Sequence, residues 1–162
     1  MIYLFINKLE SFLKEEISLK EVIKWCSNLI RDDNIELLAN EVWLMEIVYY
    51  FDEIEDYNEK QKEIVCIFSS HALYLLKNRV LDYKEKSMIL DLLFILKKLE
   101  KLVDKLQDNC LKIEDLHKSI KKASLSNFLE KQLLSLSKIE WKELLNSLRE
   151  NEFEKVLKII QN

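Results

Sequence analysis

Across 162 residues the chain contains neither glycine nor proline. Glycine supplies the positive φ of tight turns, and proline ends elements and stiffens loops. Without either, the favoured two-residue β-hairpins lose their usual turn residues. The chain is dominated by Leu, Lys, Glu and Ile, of which Leu, Lys and Glu favour helix. The expectation is an all-α fold: a single-domain antiparallel helical bundle of about seven to nine helices over residues 1–162. A chain of this length buries roughly two thirds of the surface it exposes when unfolded.

Helix starts are legible because Ser, Asp or Asn precedes Glu at capping-box spacing, so each side chain satisfies an otherwise orphaned N–H of the other's residue. Ser18 with Glu21 opens a helix to about Ile30, Asp56 with Glu59 one to Asn78, and Asp82 with Glu85 one to Leu106. Ser137 with Glu140 opens a helix to Leu148, and Asn151 with Glu154 opens the last; Asn40 caps a helix to Ile54. The first helix runs over Ile2–Lys14, and two more fill Ile113–Ala123 and Asn127–Leu136. The joints are short, as for antiparallel neighbours. From Asp82 onward, Met88, Leu92, Ile95, Leu96, Leu99, Leu102, Val103 and Leu106 form a core stripe, with Lys97, Lys98, Lys101 and Lys105 on a solvated side.

The apolar N-terminus is broken by Asn7, Lys8 and Glu10 and lacks a signal peptide's basic start and cleavage site. The longest apolar run, Met88–Leu96, contains Asp91 and is too short to span a bilayer. A soluble, cytoplasmic protein with no membrane contact is expected. Cys26, Cys66 and Cys110 lack metal-ligand spacing and read as buried free thiols. An acidic pI of about 5.4 argues against direct nucleic-acid binding.

Catalysis finds little in the residues. His71 and His117 are the two histidines. Glu114 and His117 share a helix face, but a di-iron carboxylate site needs a second such motif, and Phe68 stands three before His71. A surface ion pair between Glu114 and His117 is the simpler reading. Ser69 and Ser70 adjoin His71 in sequence yet point elsewhere on a helix, and no glycine is present to shape an oxyanion hole. Phosphate-cradling and dinucleotide turns likewise need glycine. No catalytic residue, metal ligand or cofactor is expected, and the chain reads as a non-enzyme.

The acids tell more. Between Asp32 and Glu63 stand eleven carboxylates against two lysines, a local net charge of −9 where the whole chain carries −4. Trp43, Tyr49, Tyr50, Phe51 and Tyr57 lie in the same stretch. On a helix from Glu41, Trp43, Leu44, Ile47, Val48, Tyr50, Phe51 and Ile54 fall on a core arc. The opposite arc gathers Val42, Met45 and Tyr49 among Glu41, Glu46, Asp52 and Glu53. Apolar contacts inside a rim of carboxylates suit a protein partner with a basic groove. A helix covering Val42, Met45 and Tyr49 would leave only the acids in water.

The run Glu16-Ile17-Ser18-Leu19-Lys20-Glu21-Val22-Ile23-Lys24-Trp25, the turn Arg31-Asp32-Asp33 and the pair Val42-Trp43 resemble a group of short acidic helical bacterial proteins. These are the immunity proteins of polymorphic-toxin and contact-dependent growth-inhibition systems. The resemblance covers about Glu15 to Asp56, and the sequence departs from the pattern after Leu44, where Tyr49-Tyr50-Phe51-Asp52 replaces a Gly-Ala-Asp turn. It implies a cognate toxin C-terminal domain, a basic nuclease, as partner. The expected contact residues are Glu41, Met45, Glu46, Tyr49, Asp52, Glu53, Glu55 and Asp56, with Asp32, Asp33 and Glu36 as steering charges. A non-enzymatic adaptor or a nucleic-acid mimic is the alternative.

Overall fold

The computed structural model describes residues 1–32, 41–55 and 58–162. Five of the residues named above, Asp33, Glu36, Asn40, Asp56 and Tyr57, lie outside that set. Among the described residues the chain is all-α, with ten helices and no strand. They are α1 (Ile2–Leu13), α2 (Leu19–Arg31), α3 (Val42–Asp52), α4 (Glu59–Lys77), α5 (Tyr83–Phe94), α6 (Leu96–Gln107), α7 (Ile113–Lys121), α8 (Asn127–Leu134), α9 (Lys138–Arg149) and α10 (Phe153–Gln161). The tenth arises because the single helix expected over Asp82–Leu106 is two, broken at Ile95, whose φ and ψ are −103° and 4°. No helix of the described residues is long and apolar enough to cross a membrane.

Both serine capping boxes form. Glu21 and Glu140 reach back to the backbone N–H groups of Ser18 and Ser137 at 2.7 Å, and each serine hydroxyl accepts from its partner's N–H at 3.3 Å. Asp82 and Glu85 exchange two such bonds at 2.9 Å. The cap of α4 is Asn58, whose Oδ1 accepts from the Gln61 N–H at 2.8 Å. Ser126 caps α8.

Helix ends are closed without glycine. Glu15, Asn109, Ser124 and Asn151 occupy left-handed backbone at φ 55–60°. Beyond α1, α6 and α9 the pattern is a full Schellman motif. Glu16, Cys110 and Glu152 donate to the carbonyls of Ser11, Lys105 and Ser147, and the preceding Glu15, Asn109 and Asn151 donate to Phe12, Leu106 and Leu148. Asn151, expected to open the last helix, thus closes α9 instead, and Glu152 is the N-cap of α10. A short polar side chain that tolerates positive φ serves a C-terminal stop as well as it serves an N-cap, and the sequence spacing fits both.

The contacts divide the chain into two compact units, Met1–Lys86 and Ser87–Asn162. In the first, α1 packs on α4 and α2, and α2 on α3. Its core holds Phe5, Leu9, Val22, Cys26, Leu44, Ile47, Val65, Ala72 and Leu75, all fully buried. Aromatic rings run through it: Trp25 to Phe5 at 5.3 Å, Phe5 to Phe51 and Phe51 to Phe68 at 6.4 Å, and Phe68 to Tyr50 at 4.0 Å between centroids. Such tilted and edge contacts add to the area buried. Lys77 of α4 is paired with Glu10 of α1, which holds that carboxyl below its usual range.

In the second unit α6 packs on α9 and α7, α7 on α8, and α10 on both α8 and α9. Trp141, Leu116, Leu129, Leu133, Leu148 and Val156 are fully buried there. Arg149 of α9 reaches Glu100 and Asp104, one turn apart on α6, at 3.3 and 3.7 Å. Gln107 donates to the Lys138 carbonyl at 2.9 Å, fixing the end of α6 against the start of α9. Lys97, Lys98, Lys101 and Lys105 are exposed.

Candidate functional site

Helix α3 forms because an unbroken apolar and aromatic run can bury one side. Trp43, Leu44, Ile47, Val48, Phe51 and the following Ile54 are buried, and Tyr50 is half-buried against Phe68. Burial pushes the Tyr50 phenol up to about 12. The other arc faces outward. Val42 is 62% and Tyr49 40% exposed, and Met45 and Glu46 are half-buried between them.

The acids around this arc take different positions. Asp52, Glu53 and Glu55 are exposed at the C-terminal end of α3. Ser27 of α2 donates to Asp52 and ties the two helices together. Asp32 is exposed at the C-cap of α2. Glu41 does not join the exposed rim: it is half-buried at the N-cap of α3, and its Oε2 is enclosed with no hydrogen-bond partner among the described residues. Asp33, Glu36 and Asp56 lie outside the described residues.

Beside Glu41 is a residue the periodicity reading passed over. Lys86 is only 9% exposed, with its Nζ 4.8 Å above the Trp43 ring. The signal was present: Lys86, Ile89, Leu90 and Leu93 recur at helical spacing, so this lysine stands in a core stripe. Burial lowers the Lys86 ammonium from its ordinary value, against the opposing pull of Glu41. No carboxylate of the described residues lies within ion-pair distance of it. Glu41, Lys86 and the exposed Arg79 line one hollow of about 800 Å³, floored by Ile2, Ile6 and Leu76.

Other candidate residues are scattered. Ser69 is buried with its hydroxyl unpartnered among the described residues, and Ser70 and His71 are half-buried on α4. Among the described residues the ion pair on α7 is Asp115 with Lys118 at 3.6 Å, in place of the expected Glu114 with His117, and the enclosed His117 Nε2 has no partner there. Among the described residues no three His, Cys, Asp or Glu side chains converge on a metal position. All three cysteines are free thiols, but of differing burial: Cys26 is buried, Cys66 half-buried and Cys110 exposed, because Cys110 falls in the turn after α6.

Comparison of the chain with protein-family models, with characterised proteins and with solved structures finds no match to any of them.

Proposed function

We propose that this chain is an immunity protein, which binds and neutralises the C-terminal domain of a cognate toxin, a basic nuclease, through the outward arc of α3. The observation that carries the reading is the exposure of Val42 and Tyr49 on the same helix as the exposed Asp52 and Glu53, with the half-buried Met45 between them. An apolar and aromatic centre bounded by carboxylates is the anatomy of a protein-binding surface for a cationic groove. The charges raise the rate of encounter, and the desolvated aromatic slows dissociation. Asp32, Asp33, Glu36, Glu55 and Asp56 extend the negative field on either side of α3 in sequence. A nucleic-acid mimic would instead need carboxylates spaced like phosphates along an extended surface. In this chain eleven of the 29 acids crowd into one fifth of the sequence.

The partner to test is the C-terminal domain of the protein encoded immediately upstream. Tyr49→Ala combined with Glu53→Lys is expected to weaken its binding by roughly 30-fold or more, the scale of losing a buried aromatic anchor. Raising the salt should slow association more than it speeds dissociation. Unchanged affinity in the double variant would remove α3 from the interface.

A further inference from the structure

The hollow between α1, the start of α3 and the α4–α5 turn has a different character from the acidic arc. We propose that it is a second binding site, which takes the C-terminal residue of a peptide. The terminal carboxylate lies between Lys86 and Arg79, the last amide N–H reaches Glu41, and an apolar side chain rests on Ile2, Ile6 and Leu76.

Three independent features select this ligand. Lys86 is nine-tenths buried and is held over Trp43 without an ion-pair partner among the described residues. A desolvated ammonium in that state is a strong receptor for an anion. Lys77 and Asn78, also in the wall, are committed elsewhere. Lys77 pairs with Glu10, and the Asn78 Oδ1 accepts from the Val80 and Leu81 N–H groups at 2.9 Å. Among the side chains of the wall, that leaves Lys86 and Arg79 as the cations for a ligand. Second, the half-buried Glu41 carboxylate lines the same hollow. A carboxylate in that wall favours a ligand N–H over a second anion. Third, the floor of half-buried Ile2 and Ile6 with buried Leu76 is apolar, and a volume of about 800 Å³ is the size of a small-ligand pocket. A phosphate would meet the Glu41 carboxylate and leave the floor unused. A fatty acid would bring no donor to Glu41. A peptide terminus supplies the acceptor, the donor and the apolar group together.

The test is calorimetric titration of the whole chain with N-acetyl-Ala-Ala-Leu as its free acid, as its C-terminal amide, and with octanoate. The free acid should bind, and the amide about tenfold or more weaker, one charge-assisted contact being lost. Arg79→Ala, at an exposed position, should weaken the acid by a similar factor without altering the fold. Lys86→Met should abolish binding, with the circular dichroism spectrum retained. Equal binding of acid and amide would overturn the proposal. So would octanoate binding as tightly as the peptide, or the absence of any binding at millimolar peptide. None of these outcomes bears on α3 and the toxin domain.

Discussion

The ammonium of Lys86 sits 4.8 Å above the ring of Trp43, a buried cation on a buried indole. Cation–π attraction offsets part of the desolvation, yet burial still holds this lysine below its usual 10.5. The unfolded chain therefore binds the Lys86 proton more tightly than the folded one. Raising the pH through the interval between the folded value and 10.5 favours folding. Lys86→Met keeps the packing and removes this dependence. Urea unfolding at a series of alkaline pH values should show the stability difference between variant and parent shifting in the parent's favour as the pH climbs. A difference constant with pH would place the ammonium in a water-like setting.

The two serine capping boxes give a local test of the helix starts. Ser18→Ala and Ser137→Ala should each cost about 1 kcal/mol, because one backbone N–H in each first turn loses its acceptor. Denaturant midpoints at unchanged slope would register it.

Glu15 offers the converse at a helix end. Its φ of 60° is unfavourable for any residue with a Cβ by about 1–2 kcal/mol, whereas Lys14, one residue earlier, has φ −84°. Glu15→Gly relieves that strain but loosens the unfolded chain, so stability should hold steady or rise by up to about 1 kcal/mol. Lys14→Gly has no strain to relieve and should lower stability by about 0.5–1 kcal/mol. The Glu15–Lys62 pair, at 3.7 Å and largely exposed, contributes little to the balance.

The three thiols should react in the order Cys110, Cys66, Cys26. Burial, with the Asp52 carboxylate adding to it, pushes the Cys26 thiol up to about 12 from an ordinary 9.0. The neutral thiol is thus the form the fold prefers. Its contribution is fully present below pH 9 and is lost as the pH rises toward 12. Labelling by a disulfide reagent should modify Cys110 at once and Cys26 only at the rate of global opening. Rapid labelling of Cys26 in the folded protein would mean that α2 separates from its neighbours locally.

The features legible in the sequence were those set by short-range chemistry. Ser18, Asp82 and Ser137 declare their helices because a hydroxyl or carboxylate and a glutamate three residues on can close a reciprocal pair of hydrogen bonds over the first turn. The buried arc of α3 follows from the 100° turn per residue. Two kinds of feature were illegible. The break at Ile95 has no glycine, proline or cap to announce it, and it sits inside an apolar run that reads equally well as one helix. Glu41 was grouped with the acids by charge, but its surroundings come from Lys86, 45 positions away, which only the fold brings near. Charge counting locates a segment; it does not say which of its carboxylates water reaches.

The pairings within Ser87–Asn162 are mostly between helices adjacent in the chain: α6 with α7, α7 with α8, α9 with α10. The pairings of α6 with α9 and α8 with α10 need a longer loop to close. Pairing between neighbours in the chain favours fast refolding of this unit. With no prolyl bond anywhere in the sequence, there is no peptide isomer to wait for. The helices of this unit reach their native pairings with no slow isomerisation step between them.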